Sequence, residues 1–234
     1  MKKYILIFAA LLLIIPLNGQ TQTDGAKALA LVLKVKGEVS LTRTSKTTPL
    51  KFGTPLNHGD MITTGADGFA TIIFSDDKSQ LKIMSHSRIT LEGKRQITGG
   101  ISKRIQVGIG EIFTRVKNQV GSLEVITPTS VAKVKGTEFW VGVDSQGNSY
   151  VTTLEGIVLL LNLLDGQMVE IKKAQRGEVD KEGNLTIIDL KIDDMEGDPD
   201  PEPEDNVELK VIEINVLDED GNERILRFEY RVNE

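Results

Sequence analysis

Any chemistry this chain performs must come from a short roster of side chains. Its 234 residues include 2 histidines and no cysteine. A three-ligand catalytic zinc centre would need carboxylates beside His58 and His86. Both histidines fall in polar turns, Asn57-His58-Gly59-Asp60 and Ser85-His86-Ser87, where a solvated imidazole is the ordinary outcome. No Gly-x-Ser-x-Gly elbow, phosphate loop or dinucleotide fingerprint occurs. Paired carboxylates can cleave glycosides, but 1 Trp and 3 Tyr are a thin supply for a sugar-stacking cleft. The reading is non-enzymatic, with no catalytic residue, no cofactor and no metal site.

Two other groups invite a binding role. Asp218-Glu219-Asp220-Gly221-Asn222-Glu223 offers oxygens around a glycine, as calcium loops do. It lacks the alternating Asp spacing and distal bidentate Glu of such loops, and Asp-Gly between alternating runs favours a hairpin turn. Trp140 lies in Phe139-Trp140-Val141-Gly142-Val143. A period of two puts Phe139, Val141 and Val143 on one face and Trp140 beside Gly142 on the other. Trp140 then either covers a second apolar face or stands exposed as an anchor for a partner, since aromatics concentrate binding energy. It is the one candidate partner-binding residue.

The elements that must position these groups are strands. Leu31–Val35, Val39–Leu41, Phe69–Phe74, Leu81–Met84 and Ile89–Leu91 are short β-branched runs bounded by Gly, Asp, Asn and Ser. Gly-Glu precedes a β-branched residue at Gly37, Gly110 and Gly177, where the glycines are expected to turn the chain with positive φ. The spacing is irregular, which excludes a solenoid of one fixed period. The run Thr127–Phe139 reads as a corner at Pro128 entering a tight strand, with Gly136 where a side chain would not fit. The expected fold is all-β: stacked short strands, solenoid-like or a sandwich, over residues 26–192.

From Asp193 to Asp205 the composition turns to DDMEGDPDPEPED. Alternating proline and carboxylate resists both helix and paired strand, so residues 193–205 read as an extended linker. Residues 206–234 read as a C-terminal β-hairpin, too small to be stable alone in water and therefore expected to dock on the domain or on another chain's sheet edge. At the other end, Met1-Lys2-Lys3 and the apolar run Tyr4–Ile15 describe a secretory signal peptide over residues 1–20. The run is shorter than the roughly 20 residues of a stable membrane span. A retained anchor is the alternative, because Leu17 is not the small residue preferred near a cleavage site. Net charge is −6, which makes the chain a poor candidate for binding nucleic acid or anionic lipid, since both demand clustered Lys and Arg.

The ordered pieces Val35-Lys36-Gly37-Glu38-Val39, Gly59-Asp60-Met61-Ile62-Thr63-Thr64-Gly65, Ala70–Ser79, Ser87-Arg88-Ile89, Gly110-Glu111-Ile112, Thr127-Pro128-Thr129, Val134–Phe139 and Leu154-Glu155-Gly156 resemble the FecR-type domain across residues 31–179. The chain has Asp77-Lys78-Ser79 and His86-Ser87 where that family usually has Asp-Gly-Ser and Asn-Ser. The resemblance implies a β-rich cell-envelope domain without catalytic residues. Well-known relatives cross the inner membrane and control a sigma factor through a cytoplasmic segment. Only three residues precede the apolar run here, so that output part is not expected. The function expected is an exported module, periplasmic or secreted, that binds an envelope protein or a cell-wall polymer. The alternative is a periplasmic sensing component working with a separate membrane protein.

Overall fold

The computed structural model describes residues 28–97, 99–117, 119–200, 208–217 and 223–232. The signal-peptide reading of residues 1–20, the acidic residues 201–205 and the calcium or hairpin turn at 218–222 lie outside the described residues. The first part of the domain forms β1 (Ala30–Lys36), β2 (Val39–Arg43), β3 (Lys46–Pro49) and β4 (Pro55–Leu56). These continue into β5 (Asp60–Thr64), β6 (Phe69–Phe74), β7 (Gln80–Ile83) and β8 (Arg88–Arg95). A long strand, β9 (Ile101–Arg115), follows. Hairpins then come in series: β10 (Gly121–Ile126) with β11 (Ser130–Val134), and β12 (Glu138–Val143) with β13 (Ser149–Glu155). The last two are β14 (Ile157–Asn162) with β15 (Met168–Lys172), and β16 (Gln175–Val179) with β17 (Leu185–Asp189). A 3₁₀ turn spans Ile192–Asp194, and β18 (Glu208–Leu217) pairs with β19 (Glu223–Val232) as a separate two-stranded sheet. The molecule is all-β, as its alternating apolar runs predict.

The 17 strands β1 to β17 are linked in one mixed sheet, in which only the β9–β10 pair is parallel. Strand β9 divides that sheet into two layers. Residues 101–109 pair with β8 and β10, whereas residues 110–115 pair with β7 and β12. Layer I therefore runs β4–β1–β6–β7–β9–β12–β13–β16–β17. Layer II runs β3–β2–β5–β8–β9–β10–β11–β14–β15. Every strand before β9 lies to one side of it, and every later hairpin to the other, added alternately to layer II and layer I. The expected stack of short strands is thus a two-layer structure that grows hairpin by hairpin.

The change of layer happens at Gly110, whose φ is +92°, a value that costs an L side chain dearly. A Cβ there would sit 2.3 Å from Ser87 Oγ and 2.4 Å from Ser87 Cα. Ser87 brackets the bend: its hydroxyl accepts from Glu111 N at 3.0 Å and donates to Glu111 O at 3.1 Å. Two glycine expectations need correction. Gly177 makes no turn; it is buried in β16, where a Cβ would lie 2.6 Å from Ile171 Cδ1 on the facing layer. Gly136 has open space around it, and its φ of +67°, not crowding, is what favours glycine.

Inward-facing residues of both layers make one core, including Val32, Ile72, Ile83, Ile112 and Val141 of layer I and Leu41, Ile62, Ile89, Ile105 and Leu160 of layer II. Each such buried aliphatic side chain contributes about 1.5–3 kcal/mol. Two polar devices cross the core margin. Lys103 projects inward from β9, is 1 % exposed, and its Nζ reaches Asp76 at 2.8 Å and Asp77 at 2.5 Å in the β6–β7 turn. Burial pushes the Asp77 carboxyl up, but hydrogen bonds from Lys103 and Ser79 outweigh it and hold the group below the usual carboxylate range. On the other side of β9, buried hydroxyls of Thr127, Thr129, Ser130 and Ser149 form a chain, with Thr129 Oγ1 donating to Val179 O at 3.1 Å. Pro128 is indeed a corner, and that network ties it to layer I.

Candidate functional site

Strand register brings a line of functional side chains onto the outer face of layer I. Directly paired positions run Lys34, Thr71, Lys82, Phe113, Trp140, Thr152, Arg176 and Ile188. Their neighbours in sequence, such as Ile112 and Val141, point into the core, so a period of two alone sets this row outward. Lys82 Nζ lies 5.9 Å from the Phe113 ring centroid, and Phe113 and Trp140 are 5.2 Å apart with planes tilted by 56°. Arg115, one pair along, places its guanidinium 5.8 Å from the same Phe113 ring. The outcome is a furrow of cations and aromatic rings crossing the strands.

Residues 196–200 lie across this furrow as a strap. Trp140 Nε1 donates to Glu196 O at 2.8 Å. Asp198 is paired with Lys82 through Oδ1 and with Arg115 Nη2 through Oδ2, the latter at 2.9 Å. Lys82 Nζ also donates to Asp200 O, and Asp200 accepts Lys34 Nζ at 2.7 and 2.8 Å. The linker expected for residues 193–205 is therefore not free of the domain over this part. Its carboxylates, which would repel each other in solution, are separated onto three cations. Pro199 cannot donate to a sheet ladder, and among the described residues the strap crosses the strands and pairs with none.

Lys82 is 2 % exposed beneath the strap. An unpaired ammonium there would carry a severe desolvation penalty, so it requires its anionic cover. Trp140 is 4 % exposed, which corrects the reading of it as an open anchor: the chain's own strap occupies that position. Beside it, Tyr150 donates its hydroxyl to Glu111 Oε1, and Arg176 stacks 4.4 Å from the Tyr150 ring. Burial, then the Glu196 carboxylate, push the Glu111 carboxyl above its ordinary range, while Arg176 pulls it down. Thr71 Oγ1, in the row between Lys34 and Lys82, is buried without a hydrogen-bond partner among the described residues.

The histidines are not brought into this site. His58 accepts Gly93 N at 3.3 Å through Nδ1 in an exposed turn, and His86 is exposed at φ +55°. Among the described residues no group of three or more His, Asp and Glu side chains has metal-holding geometry. A cleft next to Arg88, Gln106 and Pro128 is lined by few groups that could react. Sequence reasoning missed the furrow because its members are far apart in the chain. The signal that could have found it is the cation or aromatic ring at the outward positions Lys34, Lys82, Phe113, Arg115 and Trp140 of β1, β7, β9 and β12.

Residues 60–159 match the family described as FecR protein. That stretch, from Asp60 into β14, is what the chain has in common with the FecR family. The match is narrower than the motif resemblance over residues 31–179, beginning at β5 and ending in β14. No curated relative matches the chain. Two crystal structures of a candidate anti-sigma factor from Parabacteroides distasonis are similar to it. One, at 1.65 Å, is 13% identical with a TM-score of 0.45, covering 56% of this chain and 60% of that one. The other, at 2.50 Å, is 14% identical with a TM-score of 0.46 and the same coverage of 56% and 60%. The chain thus spans 60% of the length of those structures.

In and around the FecR-like stretch the motif residues serve the fold. Asp60 is buried, accepts Asn57 N at 2.7 Å, and is paired with Arg43 Nε and Nη2 at 2.7 and 2.6 Å. That hydrogen-bonded carboxylate is the main reason the Arg43 guanidinium is held above its ordinary range. Thr64 Oγ1 donates to Met84 O at 2.6 Å and accepts Ser87 N at 2.8 Å, locking the turn that carries Ser87 under the β9 bend. None of these residues touches the furrow's cations.

Proposed function

We propose that this protein is an exported, non-catalytic module of the bacterial cell envelope that binds a protein partner by strand addition. The supporting observation is the margin of layer I formed by β17. Among the described residues this strand is paired on one side only, with β16. Its sequence Leu-Thr-Ile-Ile-Asp leaves Ile187 43 % and Ile188 38 % exposed, on opposite faces. Natural edge strands are usually blunted by charge, proline or a bulge. This five-residue edge, apolar at Leu185, Ile187 and Ile188, supplies what β-augmentation uses: free backbone groups for affinity and side-chain positions on both faces for selectivity. On layer II, the margin strand β15 leaves Met168 exposed. The basic and apolar leader at residues 1–20 supports export, and the net charge of −6 argues against a nucleic-acid partner.

A photocrosslinking residue at Thr186, in cells, tests the reading. The expected result is a discrete protein adduct in the envelope fraction that disappears when Ile187→Lys is added while the melting temperature is kept. A transporter or membrane regulator in the adduct would place the module in sensing, as the alternative reading holds. Adducts confined to cytosolic proteins, or insensitive to Ile187→Lys, would overturn the proposal.

A further inference from the structure

We infer that the furrow on layer I is a docking site for an acidic, extended segment of a partner protein, and that the strap is its built-in competitor. The surface is distinct from the β17 edge, so the inference stands or falls apart from the strand-addition reading.

Three observations carry it. First, the strap is held by groups that any extended acidic segment can reproduce: two backbone carbonyls, Glu196 O and Asp200 O, and two carboxylates two residues apart. It joins no strand, so removing it leaves every ladder of layer I intact. Second, the furrow is ionic where an apolar strap would serve as a tether equally well. Buried ion pairs add little stability over apolar packing of the same volume, but they discriminate strongly between charged and uncharged occupants. Lys34, Lys82 and Arg115 thus select an acidic chain, and Phe113 and Trp140 form the floor beside them. Third, the strap does not use everything the furrow offers. Thr71 Oγ1 stays unpartnered between the two lysines, where a carboxylate of a better-fitted ligand can accept from it. A competitor that leaves a donor unused is displaceable by a ligand that takes it up.

Trp140 is the single tryptophan of the chain and reports directly on the furrow. The experiment compares the full-length protein with Asp198→Asn/Asp200→Asn, using as probe a synthetic peptide with the sequence of residues 195–205. Neutralising the strap is expected to shift Trp140 emission to the red. The peptide should reverse that shift and bind the variant about tenfold more tightly than the wild type. Binding should weaken as salt is raised, and a peptide with Gln and Asn in place of its acids should not bind. Adding Lys82→Met to the double variant should abolish binding. Melting curves establish that each variant is folded. Asp200→Asn alone, at the more exposed Lys34 contact, supplies a milder form of the same shift. Unchanged emission on neutralising the strap, or peptide binding that survives Lys82→Met, would overturn the proposal. So would sedimentation of the wild type as a strap-exchanged dimer, which would make a second copy the occupant.

Discussion

His86 sits at a left-handed φ of +55° in the turn before Ser87, and Lys78 does the same at +61° in the turn before Ser79. These are the two places where the chain replaces the family's usual Asn and Gly, residues that tolerate this conformation. The departure is legible in the sequence; its physical meaning emerges only with the backbone angles. Because His86 is exposed, His86→Gly relieves the strain without removing packing, less the extra freedom glycine gives the unfolded chain. The expected gain is about 0.5–1 kcal/mol, read as a higher midpoint in urea unfolding. Trp140 shows the opposite limit. Its alternation with Phe139 and Val141 is plain in the sequence, but burial by residues 196–200 depends on contacts 56 positions away. No local pattern carries that information.

At the scale of elements, the short strands and their turns are largely readable, while β9 is not. Its Gly108 and Gly110 look like breakers, and Lys103 interrupts an otherwise apolar inward series of Ile101, Ile105 and Val107. The structure explains both: the glycine permits the change of layer, and the lysine meets two carboxylates from the opposite layer. Gly110→Ala would press a methyl group onto the backbone of Ser87 in a conformation unfavourable to alanine. A loss of about 2–4 kcal/mol is expected, with faster hydrogen exchange at Glu111 and Ile112 as the local signature. A melting temperature equal to the wild type would show that the bend does not depend on glycine. The Pro and acidic segment, expected as an extended linker over residues 193–205, starts within the 3₁₀ turn Ile192–Asp194 and lies on layer I over residues 196–200. Composition reports the repulsion among its charges, whereas the cations that quench it come from β1, β7 and β9.

For the whole molecule, the ion cluster of Lys103, Asp76 and Asp77 joins the layers where no disulfide is available. Lys103→Met leaves two buried carboxylates without their cation, and a loss of about 3–5 kcal/mol at neutral pH is expected. Asp77 has a folded-state pKa below its unfolded value. Its contribution is therefore complete above the ordinary carboxylate pKa of about 3.9 and disappears as pH falls through the lowered folded value. Urea unfolding across that acid range should show the wild type losing more stability than Lys103→Met; parallel pH curves would reject the role given to the cluster. The alternating placement of later hairpins on either layer has a consequence for length. Each new hairpin rests on a margin already finished on its inner side, and none is threaded between older strands. Such a body can be trimmed or extended at one end by whole hairpins, like planks on a deck, while the joint at β9 and everything inside it stays as built.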